Sequence, residues 1–258
     1  MIIPSVNTFN FYIIIIVIEI EILKIHMRAA DSSENICIEK CNISSGHDAI
    51  VLKSGWDEYG MSYAKPTMNV HIRNVRLESS SGAGLAFGSE MSGGISTVIS
   101  EHLHVLNSYV GIKVKTTKGR GGYIKNIFIS DARLQNINMG LSVDAYYGSH
   151  PHEDYDPSAL PFVGGITFDD VVGENIKVAG NFSGLADSPF ASICLSNVTF
   201  SISSESSSSS SSWVCSNVNG FSREVLPEPC PDLQSSSSFS SCFIASASPS
   251  TTSYVSSL

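Results

Sequence analysis

Val70-His71-Ile72-Arg73-Asn74-Val75-Arg76-Leu77 and Ile127-Phe128-Ile129-Ser130-Asp131-Ala132-Arg133-Leu134 are two copies of one pattern: apolar-x-apolar-x-x-apolar-x-apolar. The same pattern reads Ile36, Ile38, Cys41, Ile43 upstream and Ile193, Leu195, Val198, Phe200 downstream. A weaker copy carries Val98, Ser100, Leu103 and Val105, and a degenerate one starts at Ile166 and Phe168. The first positions are spaced by 34, 28, 29, 39 and 27 residues. Alternation with period 2 marks strands and excludes helical repeats. The break in phase marks a tight bend, and Asn74 and Asp131 stand there with suitable turn chemistry. A second apolar run follows in most units, as in Ala49-Ile50-Val51-Leu52, Leu85-Ala86-Phe87 and Leu141-Ser142-Val143. One such unit cannot bury its apolar side alone, whereas stacked units form continuous inward ladders. A leucine-rich repeat would be shorter and dominated by Leu. The fold expected is all-β, a right-handed parallel β-helix.

Around this array three regions are expected. Residues 31–200 form the β-helix, 1–30 an atypical N-terminal segment, and 201–258 a Ser-rich region with a small Cys-stapled cap at 213–233. Within 1–30, Phe11 to Ile18 is apolar but too short to cross a bilayer, which takes about 20 residues. No basic n-region precedes it, so it lacks the form of a signal peptide. Ile18, Ile20 and Ile22 alternate with Glu19 and Glu21, a strand-like pattern. Of the six cysteines, Cys215 and Cys230 flank a Pro-rich stretch and form the expected staple. Cys37 and Cys41 would lie roughly 13 Å apart on a straight strand, too far to bridge. Three sequons, at Asn42, Asn181 and Asn197, suggest secretion. Residues 146–165 are polar and Pro-rich, an insertion that either overhangs a groove or loops into solvent.

The chain has 42% hydrophobic residues and a net charge of −9. That balance argues against nucleic-acid or anionic-membrane partners, whose interfaces are built from Lys and Arg. An acidic polymer can still be bound if cations cluster locally. Lys113 and Lys115 share one strand face, and Arg120 follows in the next turn. No Cys/His cluster has zinc spacing, and no acidic cluster has convincing Ca²⁺ spacing. Neither metal nor cofactor is expected, and the Ca²⁺-dependent lyase alternative is disfavoured.

Three segments, Ser45-Gly46-His47-Asp48-Ala49-Ile50-Val51-Leu52-Lys53-Ser54-Gly55, Gly82-Ala83-Gly84-Leu85-Ala86-Phe87-Gly88-Ser89-Glu90 and Gly111-Ile112-Lys113-Val114-Lys115, resemble consecutive active-site rungs of glycoside hydrolase family 28, the polygalacturonases. Trp56-Asp57-Glu58-Tyr59-Gly60 and Lys118-Gly119-Arg120-Gly121-Gly122 are similar to its plant, exo-type-like branch. The resemblance runs from about Asp31 to Leu233. It implies a monomeric, secreted enzyme of the plant cell wall or apoplast that cleaves α-1,4-galacturonan (pectin) by inverting hydrolysis. Such chemistry takes one acid to protonate the leaving oxygen and one carboxylate to activate water.

Carried over residue by residue, the resemblance puts Asp48 on the second Asp of the family's Gly-Asp-Asp. It puts His47 where the first Asp, the acid, stands. Lys113 and Lys115 fall on the Arg and Lys of Arg-Ile-Lys, with Arg120 a third cation for substrate carboxylates. Ala83 replaces the Gly-His-Gly histidine, and the family's Asn-Thr-Asp has no counterpart upstream of Asp31. Asp57 and Glu58 read as carboxylates of a solvated loop. With part of the acid set unmatched, the alternative is a catalytically silent or fragmentary galacturonan-binding β-helix. A solenoid needs a cap over its apolar N-terminal end, so a truncated chain of poor stability is expected.

Overall fold

The computed structural model describes residues 13–16, 28–203, 212–233 and 242. Among these the chain runs β1 (Ile13–Ile16), β2 (Arg28–Asp31), β3 (Glu34–Glu39), β4 (Asn42–Ser45), β5 (Ile50–Lys53), α1 (Asp57–Tyr63) and β6 (Thr67–Ser79). It continues through β7 (Ala83–Phe87), β8 (Ile95–Leu106), β9 (Val110–Lys115), β10 (Tyr123–Asp144), β11 (Phe162–Ser183), β12 (Phe190–Ile202), β13 (Trp213–Ser216) and β14 (Val218–Leu226). The sheet pairings are parallel, and the strands coil as a right-handed parallel β-helix.

Three ladders run along the axis. The first stacks β1, β3 and the first halves of β6, β8, β10, β11, β12 and β14. The second stacks β4 and the second halves of the same longer strands. The third stacks β2, β5, β7, β9, the end of β10, the end of β11 and β13. The sequence repeats are in register in space: Ile36, Val70, Val98, Ile127, Ile166 and Ile193 are successive partners along the first ladder. All six are buried. In the neighbouring inward column Ser100 takes the place of an aliphatic residue between Ile72 and Ile129. Its hydroxyl is buried without a hydrogen-bond partner, which explains why that copy reads as weak.

The corners obey backbone sterics. Between the first and second ladders Lys40, Asn74, His102, Asp131, Asp170, Asn197 and Glu224 all have φ between 46° and 56°. This is the left-handed region, which Asn and Asp tolerate best. Asn107, Asn136 and Asn175 repeat the feature at the next corner. There the Asn136 amide donates to Asn107 (3.0 Å) and the Asn175 amide to Asn136 (2.9 Å), rung to rung.

Two expectations need correction. The ladder does not begin at 31, since β1 and β2 already pair with β3 and β5. Nor is 213–233 a separate cap: β13 pairs with β11 and β14 with β12, so the coil continues. The cause is Trp213, which is buried and stacks on Phe182 and Phe200 inside the helix. The Cys215–Cys230 disulfide is present, with Cα atoms 6.2 Å apart. A second disulfide, Cys194–Cys242, was not foreseen. Cys37 and Cys41 form no disulfide among the described residues. The strand-like alternation of Ile18, Ile20 and Ile22 lies outside the described residues, as do most of the serines after 203. Among the described residues no helix is long and apolar enough to cross a membrane.

Candidate functional site

A groove of about 1060 Å³ runs across the outer surface where the second ladder turns into the third. Its floor holds Asp48, Lys115 and Lys113, its rim His47 and Tyr109, and its far end Lys53, Glu90 and Tyr147. Asp48 precedes β5 at the corner. The next rung can pass only because residue 82 is glycine: a Cβ there would sit 2.8 Å from Asp48 Oδ1 and 2.5 Å from the Asp48 nitrogen. That close approach lets the Ala83 amide donate to Asp48 Oδ1 at 2.8 Å. Lys115, two rungs away, donates to Asp48 Oδ2. Both residues of this ion pair are buried, Asp48 at 7% exposure and Lys115 at 6%.

His47, next in sequence, is exposed, and its Nδ1 lies 3.4 Å from the Ser81 hydroxyl. The turn carrying both residues is pinned by Ser79, whose hydroxyl donates to the His47 carbonyl at 2.5 Å. Lys113 makes no ion pair among the described residues; its Nζ sits 4.2 Å above the Tyr147 ring. Burial and, next, the neighbouring Lys115 charge push the Lys113 ammonium below its usual range. A desolvated cation facing a groove favours an incoming carboxylate.

At the far end Lys53 Nζ bonds Glu90 Oε1 at 3.0 Å. Burial alone would raise the Glu90 carboxyl, but a hydrogen bond from its own backbone and the Lys53 ammonium outweigh it and hold the group below the usual carboxylate range. Sequence reasoning passed over this pair. The two residues lie 37 apart in the chain, and only the stacking of β5 on β7 brings them together.

Arg120 and Asp57 depart from expectation. Arg120 does not line the groove. It is 1% exposed, and Asp57 Oδ1 (2.5 Å), the Ser89 carbonyl (2.9 Å) and the Ser149 carbonyl (2.7 Å) take up its guanidinium. Asp57 is not solvated. It opens α1 with φ of 46°, is 1% exposed, and accepts from both Arg120 and His150. Glu58 is exposed as expected. The 146–165 insertion borders the groove through Tyr147. Glu19 and Glu21, the upstream carboxylates able to complete an acid set, lie outside the described residues. Among the described residues one cluster has metal-ligand spacing, Cys215, Cys230 and Asp232. Its sulfurs are joined in a disulfide and so are not free ligands.

The family model for Glycosyl hydrolases family 28 matches residues 25–228. The chain belongs to this family. A probable polygalacturonase of Vitis vinifera is 41% identical over 203 residues, 79% of this chain and 41% of that protein. An endo-polygalacturonase of Pectobacterium carotovorum subsp. carotovorum is 27% identical over 143 residues, 55% of this chain and 32% of that one. The crystal structure of a hyperthermoactive exopolygalacturonase from Thermotoga maritima matches with a TM-score of 0.68 at 25% identity, covering 76% of this chain and 42% of that chain. The chain thus spans about two fifths of the length of several curated relatives it matches. Within family 28, the matched region takes in the whole groove.

Proposed function

We propose that this family-28 chain is a polygalacturonase-type glycosidase acting on α-1,4-galacturonan, the acidic backbone of pectin, in the plant cell wall. The observation that carries the reading is the buried Asp48–Lys115 pair beside Lys113 on the groove floor. It sets a carboxylate, held by one backbone amide, next to cations suited to a polymer with one carboxylate per sugar. Asp48 takes the base role: it accepts a proton from the attacking water while the water oxygen bonds to the anomeric carbon, with inversion. The leaving glycosidic oxygen needs a proton in the same step. His47, exposed on the groove rim, is the adjacent donor. Lys113 neutralises a galacturonate carboxylate, Lys115 adds positive charge beside it while holding Asp48, and no metal enters the step. Three sequons and relatives named as plant polygalacturonases support an extracellular protein, and we take it to act as a monomer.

The test is reducing-end release from polygalacturonic acid. Asp48→Asn is expected to lower the rate by about 10²–10⁴-fold, the usual worth of a positioned acid or base. His47→Gln should also lower it. No release by the unmodified, folded chain, or equal release by the Asp48→Asn variant, would overturn the reading.

A further inference from the structure

Behind the groove, stretches of chain far apart in sequence meet on one buried guanidinium. Arg120 Nε donates to the Ser89 carbonyl at 2.9 Å, and Nη2 lies 3.3 Å from the Ser89 hydroxyl. Nη1 donates to Asp57 Oδ1 at 2.5 Å, and Nη2 also to the Ser149 carbonyl at 2.7 Å. The second oxygen of Asp57 faces His150 Nδ1 at 2.6 Å. The His150 ring stacks on Tyr155 at 3.4 Å and 8°. A parallel latch reinforces this contact: Tyr59 of α1 bonds His152 at 2.7 Å, and the Trp56 indole donates to the Ser149 carbonyl at 3.3 Å.

The struts of this cluster lie in the groove or close to its residues in sequence. Ser89 itself lines the groove beside Glu90, Asp57 follows Lys53 by four positions, and Ser149 follows Tyr147 by two. Gly148 lies between Tyr147 and Ser149 with φ of 114°, and a Cβ there would come within 2.9 Å of Arg120 Nη2. The backbone beside Tyr147 is therefore pressed directly onto the guanidinium. Tyr147 in turn lies against Lys113 and Lys115, at 4.2 and 5.1 Å.

A buried ion pair is often no more stabilising than apolar packing of equal volume. Its distinctive contribution is geometry, since a guanidinium fork fixes the angles of every acceptor it holds. We infer that Asp57, Arg120 and His150 form a clamp that holds the 146–152 loop so that Tyr147 rests on Lys113 and Lys115, setting the carboxylate-binding wall of the groove. Arg120 is thus a positioning residue and touches no substrate. The inference deepens, and rests on, the reading of the groove as a galacturonan site.

Arg120→Ala would leave the buried Asp57 carboxylate without its guanidinium and threaten the fold itself, so the working variants are His150→Ala and His150→Asn, on a loop whose histidine is partly exposed. Two quantities are measured: amide exchange of residues 146–152, and KM and kcat on trigalacturonate. His150→Ala is expected to speed exchange of the loop amides about tenfold while β7 and β9 amides stay protected. It should raise KM roughly tenfold, the worth of one hydrogen bond to a charged group, with kcat nearly unchanged. His150→Asn, whose amide nitrogen stands where Nδ1 did and keeps a donor for Asp57, should restore most of both. Unchanged loop exchange in His150→Ala overturns the clamp, and so does a fall in kcat at constant KM. If the unmodified chain neither cleaves nor binds trigalacturonate, the galacturonan reading fails, and the exchange measurement still decides the clamp.

Discussion

Two carboxylates of the groove each hold a lysine, while a third, Glu78, accepts from the Asn107 amide. Asp48 has Lys115, and Glu90 has Lys53. Lys113 has the face of Tyr147 and no ion pair among the described residues, which leaves it the most available cation for a sugar carboxylate. The Glu90 pair makes a prediction about pH. Its carboxyl is held below the usual range by its backbone hydrogen bond and Lys53, against the effect of burial. A folded pKa below the unfolded one contributes stability that is fully present above the unfolded value, near 4.3, and lost as pH falls through the folded value. Glu90→Gln should therefore lower the urea midpoint more at pH 6 than at pH 2.5. Equal losses at both pH values would show that the pair contributes no pH-dependent stability.

At the scale of the element, the bends decide where each strand passes from one ladder to the next. A β-helix corner needs a residue that tolerates positive φ, and a stacked corner needs one whose side chain bonds the rung above or below. Asparagine meets both needs, and Asn107, Asn136 and Asn175 form such a column. Asn136→Val removes two side-chain bonds and puts a β-branched residue in the left-handed region. The expected cost is roughly 2–3 kcal/mol, most of it from the backbone. Asn136→Gly, which relieves the backbone and loses only the bonds, should cost about 1 kcal/mol. Thermal unfolding of the two variants separates the contributions, and equal losses would count against a backbone origin.

At the scale of the molecule, stability is a sum over rungs and their interfaces. Phe168 sits fully buried in the inward column of a central rung, stacked on Phe182. Removing its ring opens a cavity shared by three rungs, so Phe168→Ala should cost about 3–5 kcal/mol in a urea titration. The loss should appear in one cooperative transition, because neighbouring rungs bury one another. Two separate transitions would instead mean that the coil divides near this rung. The Cys194–Cys242 disulfide ties a late rung to a residue 48 positions downstream.

The inward pattern of the coil was legible in the sequence because period-2 alternation and bend residues are local, and local spacing becomes axial register once rungs stack. Ile36, Val70, Val98, Ile127, Ile166 and Ile193 were aligned by their spacing alone, and they are the partners found along the first ladder. Asp48, His47, Lys113 and Lys115 were named from motif order and meet at one groove. The partners of those groups were not legible. Asp57 in a polar segment reads as solvated, and Arg120 among glycines reads as a free cation. Their burial depends on a loop, 29 residues beyond Arg120 and 93 beyond Asp57, that folds back over both. Lys53 and Glu90 likewise meet through register between rungs. The sequence by itself determined which residues face inward and which rungs carry chemistry, since those depend on neighbours in the chain. Only the tertiary structure decided which charges are spent on one another and which remain for a ligand, because ion pairing depends on distance in space and on exclusion of water.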